Sequence, residues 1–234
     1  MWSEPRHALV TGSSSGIGAA CTRRLLADGW RVTGLDLAAP TLSDHHFQSV
    51  QLDLRDAAAL HAALERIGPP VQALVHAAGV LRTGRIDELE PTDGQQMWQL
   101  HVDAATRLAR QLLPAMAAAG HGRVVLIGSR VSRGMAGRSQ YAATKAALVA
   151  LARSWAAEVV RSGVTVNVVS PAATATGMLQ DPARHATPPK LPPLGRLIEP
   201  EEVAATVAFL LGPEAGVITG QELVLCGGAS LEGA

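Results

Sequence analysis

Thr11-Gly12-Ser13-Ser14-Ser15-Gly16-Ile17-Gly18 closes a short apolar run, His7 to Thr11, and opens an amphipathic one. A strand, a glycine turn and a helix start in that order make an anion site. The turn offers bare N–H groups, and the helix N-terminus adds about half a positive charge. Glycine is required because a Cβ would block both the tight turn and the close approach of a ligand. Asp36 ends the next apolar run, eighteen positions beyond Gly18. A carboxylate there can bind the ribose hydroxyls of a dinucleotide. It would also repel a 2'-phosphate, and neither Ser15 nor Leu37 supplies a compensating cation, so NAD is expected over NADP. The plainer alternative for Asp36 is a solvated turn residue.

Further along, apolar runs rich in Val and Leu recur at Arg31 to Asp36, Val50 to Asp53, Val71 to His76, Arg123 to Gly128, Val164 to Ser170 and Glu222 to Cys226. With His7 to Thr11 they make about seven strands separated by amphipathic stretches. Near-continuous hydrophobicity suits strands covered on both faces, so the expected fold is α/β, a doubly wound parallel sheet with helices on both sides. The clearest helix is Gln140 to Arg161, with Leu148, Leu151, Trp155 and Val159 as its apolar stripe. No repeat or low-complexity block divides residues 1–234, which read as one domain. The Pro-dense stretch Pro182 to Pro193 reads as a loop over a site, or else as a stiffened surface connection.

With 20 basic against 20 acidic residues and 47% hydrophobic content, the chain has no polyanion-binding bias, and nucleic acid is not an expected partner. Cys21 and Cys226 show no metal or disulfide spacing, which fits a reducing cytoplasm. No run approaches a membrane span, and the charged N-terminus has no signal-like apolar core.

Gly12-Ser13-Ser14-Ser15-Gly16 also satisfies the G-x-S-x-G nucleophile elbow. Ser14 stands too early for that reading, since an elbow follows several strands that build its sheet and oxyanion hole. A better chemical centre lies later. Tyr141 and Lys145 are four apart on the predicted long helix and so share one face. A phenol must lose about three pH units of pKa, roughly 4 kcal/mol, to exchange protons near neutrality. One ammonium ~4 Å away at an effective dielectric of ~20 supplies about that. Tyr141 is the sole tyrosine, and Lys145 one of two lysines. Ser129 follows the strand at Arg123 to Gly128, on the carboxyl edge where parallel sheets bind ligands, and can hold a substrate oxygen.

Glycine loop, Asp36, Ser129, Tyr141 and Lys145 in this order resemble the short-chain dehydrogenase/reductase family, from about His7 to Leu231. Further segments that carry the resemblance are Leu52-Asp53-Leu54, His76-Ala77-Ala78-Gly79, the YAATK at Tyr141, the NVVSPAATAT from Asn167 and the TGQELVLCGG from Thr219. The resemblance implies a Rossmann-type domain with a substrate-loop region at about 177–195, and an NAD(H)-dependent enzyme that interconverts a secondary alcohol and its ketone. Tyr141 would be the acid/base, Ser129 would polarise the substrate oxygen, and Lys145 would lower the tyrosine pKa and hold the nicotinamide ribose. Cofactor contacts would come from Gly12, Ser14, Ser15, Gly16, Ile17 and Gly18, from Asp36 and Leu37, and from Asp53 and Leu54. Ala77, Ala78, Gly79, Pro171, Ala172, Thr174 and Thr176 would complete them, with Tyr141 and Lys145. A homotetramer or homodimer is implied, with the long helix at an interface.

Three departures stand out: His76-Ala77-Ala78-Gly79 replaces the usual NNAG, Pro171-Ala172 the usual Pro-Gly, and His101 a usual asparagine. That asparagine is thought to act through its backbone carbonyl, fixing a water near the lysine. His101 is either a substitute for it or an imidazole that joins the proton relay and titrates near pH 6.5. Arg130, Arg133 and Arg138 make a solvated loop or attract an anionic substrate group. Dihydrodiol dehydrogenases of the dihydroxybenzoate type and 3-oxoacyl carrier-protein reductases are the similar enzymes, the latter usually preferring NADP. A non-catalytic NAD-binding protein is the alternative of another class, and activity on a panel of alcohols separates it.

Overall fold

The computed structural model describes residues 6–67, 70–180 and 191–231. Its sheet has seven parallel strands in the order β3-β2-β1-β4-β5-β6-β7. They are β1 (His7–Thr11), β2 (Arg31–Asp36), β3 (Phe47–Gln51), β4 (Ala73–His76), β5 (Gly122–Ile127), β6 (Val164–Pro171) and β7 (Glu222–Leu225). The chain builds outward from β1 to β3, then crosses back to lay β4 on the other side of β1. That reversal opens a crevice at the carboxyl ends of β1 and β4.

The helices are α1 (Gly16–Ala27), α2 (Ala57–Arg66), α3 (Pro91–Trp98), α4 (Ala104–Ala118), α5 (Ser139–Val159) and α6 (Pro200–Leu211). Alternate residues of each strand face opposite layers. In β1, Leu9 joins the core beneath α4 and α5, whereas Ala8 and Val10 join the core beneath α1 and α6. β1, β4, β5 and β6 are buried throughout, as their continuous apolar runs require.

The edge strand departs from expectation. The third strand, expected at Val50 to Asp53, runs from Phe47 to Gln51, where Phe47 pairs with Val32. An edge strand covered on one side alternates, so a search for continuous hydrophobicity finds only its end. β4 is two residues shorter than expected and β5 is shifted back by one. The stripe on α5 is also different. Leu148, Ala152 and Ala156 form its buried face, while Leu151, Trp155 and Val159 lie half-exposed along the flank. Alanines let the helix sit close to the sheet, which leaves the larger side chains outside the contact.

α3 and α4 are joined by one π turn, Gln99–Asp103, which buries His101 and Val102. Such turns recur at functional sites. Among the described residues both cysteines are free, and burial pushes the Cys21 thiol up to about 12. No helix among them is long and apolar enough to cross a membrane. Of the 177–195 region, Gly177–Gln180 forms a short 3-10 turn, and Leu194 donates to the Gly227 carbonyl. Pro182, Pro188 and Pro189 lie outside the described residues.

Candidate active site

A cleft of about 1040 Å³ runs over the crevice, from Asp36 and Asp53 at one end to Ser129 and Tyr141 at the other. Its floor is main chain. A Cβ on Gly12 would approach the Ala78 backbone to 2.9 Å, and one on Gly18 would land on the Gly12 carbonyl. Thr11 ties the two loops together, because its Oγ1 accepts the Ala77 and Ala78 N–H groups at 3.1 Å each. Ser15 caps α1 without a side-chain bond, and the first turn carries no acidic residue, so its N–H groups meet the cleft with the dipole uncancelled.

The Asp36 carboxylate is held at the cleft edge by the N–H of Ser14 (2.9 Å) and of Ala38 (2.8 Å), beside the exposed Leu37. Asp53 is taken by Arg55 at 2.7 Å, which holds its carboxyl below the usual carboxylate range. Leu54 is buried behind it. Ser14 turns under the loop, where its hydroxyl donates to the Ala38 carbonyl. It is 5% exposed, so the elbow reading finds no presented nucleophile.

At the far end, β5 delivers Gly128 and Ser129, and α5 delivers Tyr141 and Lys145 from its first two turns. All three side chains are buried and line the cleft. Ser129 Oγ accepts the Val131 N–H at 3.2 Å, which leaves its hydroxyl proton for another acceptor. Lys145 Nζ donates to the Ile127 carbonyl at 2.8 Å and stands 5.7 Å from the Tyr141 ring centre. Burial lowers the Lys145 ammonium to about 7. The site therefore holds a lysine that titrates at neutrality next to a phenol and a hydroxyl donor.

Two histidines lie behind the lysine. Thr144 Oγ1 donates to the Tyr141 carbonyl (2.8 Å), so at its 2.8 Å contact with His101 it must accept, and His101 carries its proton on Nδ1. Nε2 of His101 then accepts the Val80 N–H at 3.0 Å. Thr11 Oγ1, already accepting twice, gives its own proton to His76 Nδ1 at 3.0 Å. This leaves His76 protonated on Nε2, near the Leu100 and His101 carbonyls of the π turn without hydrogen-bonding geometry to either. Burial, reinforced by Lys145, pushes His76 down to about 3 and His101 well below its usual value. Both rings are neutral struts in this arrangement.

Gly79 passes so close to this cluster that a Cβ would sit 3.1 Å from His101 Nε2 and 3.6 Å from Lys145 Nζ. From the end of β6 onward, Pro171, Ala172, Thr174 and Thr176 line the cleft, with Thr176 packed over Gly16. Of the catalytic and cofactor-contacting residues expected from sequence, all but Ser14 and His101 line the one cleft, whereas His76 and Arg133 lie off it. Sequence reasoning missed Thr11 and Thr144, which fix the loops and the histidine tautomer, although both lie inside quoted motifs. It also missed the apolar wall of Leu81, Val131, Met135 and Met178 around Tyr141, to which no motif points.

Residues 12–230 match the family described as enoyl-(acyl carrier protein) reductase. The chain is 35% identical to the 3-oxoacyl-(acyl-carrier-protein) reductase of Escherichia coli, with 96% of this chain and 97% of the relative covered. It is also 35% identical to the 2,3-dihydro-2,3-dihydroxybenzoate dehydrogenase of Escherichia coli, with 97% of each covered. A solved structure described as a short chain dehydrogenase/reductase family protein superposes with a TM-score of 0.88 at 36% identity, covering 97% of this chain and 98% of that one.

Proposed function

The chain belongs to the short-chain dehydrogenase/reductase family, and from that premise we propose that it is an NAD(H)-dependent enzyme interconverting a secondary alcohol and its ketone. The observation that carries this reading is the convergence of Ser129, Tyr141 and Lys145 at the end of the cleft remote from Asp36. Fit to a dinucleotide rests on the cradle itself. The glycine loop and α1 N-terminus suit a pyrophosphate, and Asp36 suits ribose hydroxyls. When bound, the nicotinamide dinucleotide accepts or supplies the hydride.

The protein's own part is proton transfer and positioning. In oxidation, Tyr141 as phenolate takes the alcohol proton, and in reduction it returns one to the ketone oxygen. Ser129 donates its hydroxyl proton to that oxygen and fixes it beside the phenol. Lys145, anchored on the Ile127 carbonyl, stabilises the phenolate by its charge. His101 positions the site through Val80 and Thr144 and passes no proton. We assign NAD over NADP because the Asp36 carboxylate at the cleft edge would bind ribose hydroxyls and repel a 2'-phosphate, and the neighbouring Leu37 is apolar. The half-exposed Leu151, Trp155 and Val159 on α5 support assembly as a homotetramer or homodimer, and the free thiols are compatible with a reducing cytoplasm.

Titration with NADH and NADPH, following energy transfer from tryptophan to bound nicotinamide, tests the cofactor assignment. A panel of cyclic and acyclic secondary alcohols with the preferred cofactor tests the reaction. NADH is expected to bind about tenfold or more tighter than NADPH, from one unshielded charge repulsion. Equal or tighter NADPH binding would overturn the NAD assignment and bring carrier-protein ketone reduction forward. Tight cofactor binding with no turnover across the panel would favour a non-catalytic NAD-binding protein.

A further inference from the structure

The residues that line the cleft divide by charge along its length. Among the described residues its carboxylates, Asp36 and Asp53, both stand at the β2–β3 end, and Asp53 is already paired with Arg55. Toward Tyr141 the lining carries Arg82, Arg130 and Arg138 and, among the described residues, no carboxylate. Arg82 has an acidic neighbour, Asp93, at 3.9 Å. Arg130 is different. Its one hydrogen bond among the described residues runs from Nη1 to the Ala229 carbonyl at 3.2 Å, an uncharged partner that holds the guanidinium without neutralising it.

Arg130 also follows Ser129 directly and opens the 3-10 turn Arg130–Arg133, so its Cα is about 3.8 Å from that of the residue that would hold the substrate oxygen. An apolar cluster, Leu81, Val131, Met135 and Met178, packs about Tyr141 at this end. Guanidinium stays charged at every working pH and presents a planar fork of donors that matches a carboxylate. A partly buried, unneutralised arginine in an apolar wall has a strong preference for an anion over water.

We infer that the alcohol or ketone taken by this site is a compact hydroxy or oxo acid, with its carboxylate received by Arg130 and its apolar body packed on the methionine and leucine wall. The inference rests on the alcohol/ketone reading above and narrows it. Proximity decides between anion sources. A phosphate at the far end of a long acyl-carrier arm lies away from the reacting carbon, whereas Arg130 adjoins Ser129. Arg133, on the same turn, is exposed and lies off the cleft, which makes it a control for long-range attraction.

The test uses the full chain with its preferred nicotinamide cofactor. Hydroxycyclohexane carboxylates and 3-hydroxybutyrate are each compared with their methyl esters, and benzoate and benzamide are titrated into the enzyme–NADH complex. The expected result is kcat/KM at least about tenfold higher for acids than for esters, and benzoate binding well above benzamide. Arg130→Gln, which removes the charge and keeps a polar side chain, should bring acids and esters to similar values, while Arg133→Gln should leave the preference in place. Esters used as well as acids, benzamide binding as well as benzoate, or equal effects of the two substitutions would overturn the inference. Turnover of esters alone would do so while leaving the alcohol/ketone reading intact. Preferential benzoate binding with no turnover of any compound would keep the anion site and sink the reaction.

Discussion

The two ends of the cleft are built from different material. At the glycine-loop end the floor is main chain, with Gly12 against the Ala78 backbone, Gly18 against the Gly12 carbonyl, and the N–H groups of α1 facing outward beneath a rim that carries Asp36 and Asp53. At the other end the walls are side chains from distant elements, with Ser129 from the end of β5, Tyr141 and Lys145 from α5, and Met178 from beyond β6. Main-chain recognition tolerates no Cβ, so it reads as a fixed glycine pattern. Side-chain recognition depends on what the fold brings together, and its residue types vary with the substrate.

The first prediction separates the ends by what each loses. Tyr141→Phe removes one hydroxyl from the side-chain end, and kcat should fall by about 10³-fold or more, as expected for an acid/base group, while the NADH dissociation constant stays within about twofold. Retained turnover in steady-state assays would refute the role given to Tyr141. Gly18→Ala acts at the main-chain end, where the new methyl must displace the Gly12 carbonyl. NADH binding should weaken by about 100-fold, the size expected when helix and turn can no longer close on the phosphates. Circular dichroism checks that the variant is folded. Binding unchanged in such a variant would mean that the loop is not the cradle.

This division also sets how much could be read from sequence. The strands at the centre of the sheet were legible because burial on both faces demands unbroken apolar runs, and β1 and β2 fall at the residues expected. β3 was displaced because an edge strand needs one apolar face. Ser129, Tyr141 and Lys145 were legible as a spacing on one helix plus a strand end. The link from Lys145 to the Ile127 carbonyl spans 18 residues, and that from Arg130 to the Ala229 carbonyl spans 99, so neither leaves a local pattern. The π turn that buries His101 likewise matches no motif quoted from the sequence.

Lys145 sharpens the comparison through stability, because the side-chain end keeps a buried charge that the main-chain end does not need. Burial holds its ammonium at about 7, below the usual 10.5. Between those values the unfolded chain keeps a proton that the folded chain has released, so stability rises with pH across that window. Lys145→Met should raise stability at pH 7 by about 1–3 kcal/mol in urea unfolding and flatten the rise, while removing activity. Unaltered pH dependence would mean the lysine is solvated. Asp36→Asn, at the opposite end, removes the charge that would repel a 2'-phosphate. The NADPH to NADH affinity ratio should climb about tenfold, near 1.4 kcal/mol, with kcat for the better substrate little changed.

The smallest effect belongs to His101, which links the two ends without lining either. One ring nitrogen holds the Val80 N–H on the loop that passes under the cleft, and the other holds Thr144 on α5, one turn from Tyr141. A ring so engaged has both nitrogens committed, and burial together with the nearby Lys145 and His76 pushes its pKa well below the usual value and keeps it neutral. His101→Asn can replace one of the two bonds, so kcat should fall by about three- to tenfold, the loss of one net hydrogen bond. The pH profile of kcat should keep its shape, because burial brings Lys145, and not His101, to about 7. If the wild-type profile instead has a limb near pH 6.5 that disappears in His101→Asn, the imidazole takes part in proton transfer, and the two ends of the cleft are joined by a relay and not by a strut.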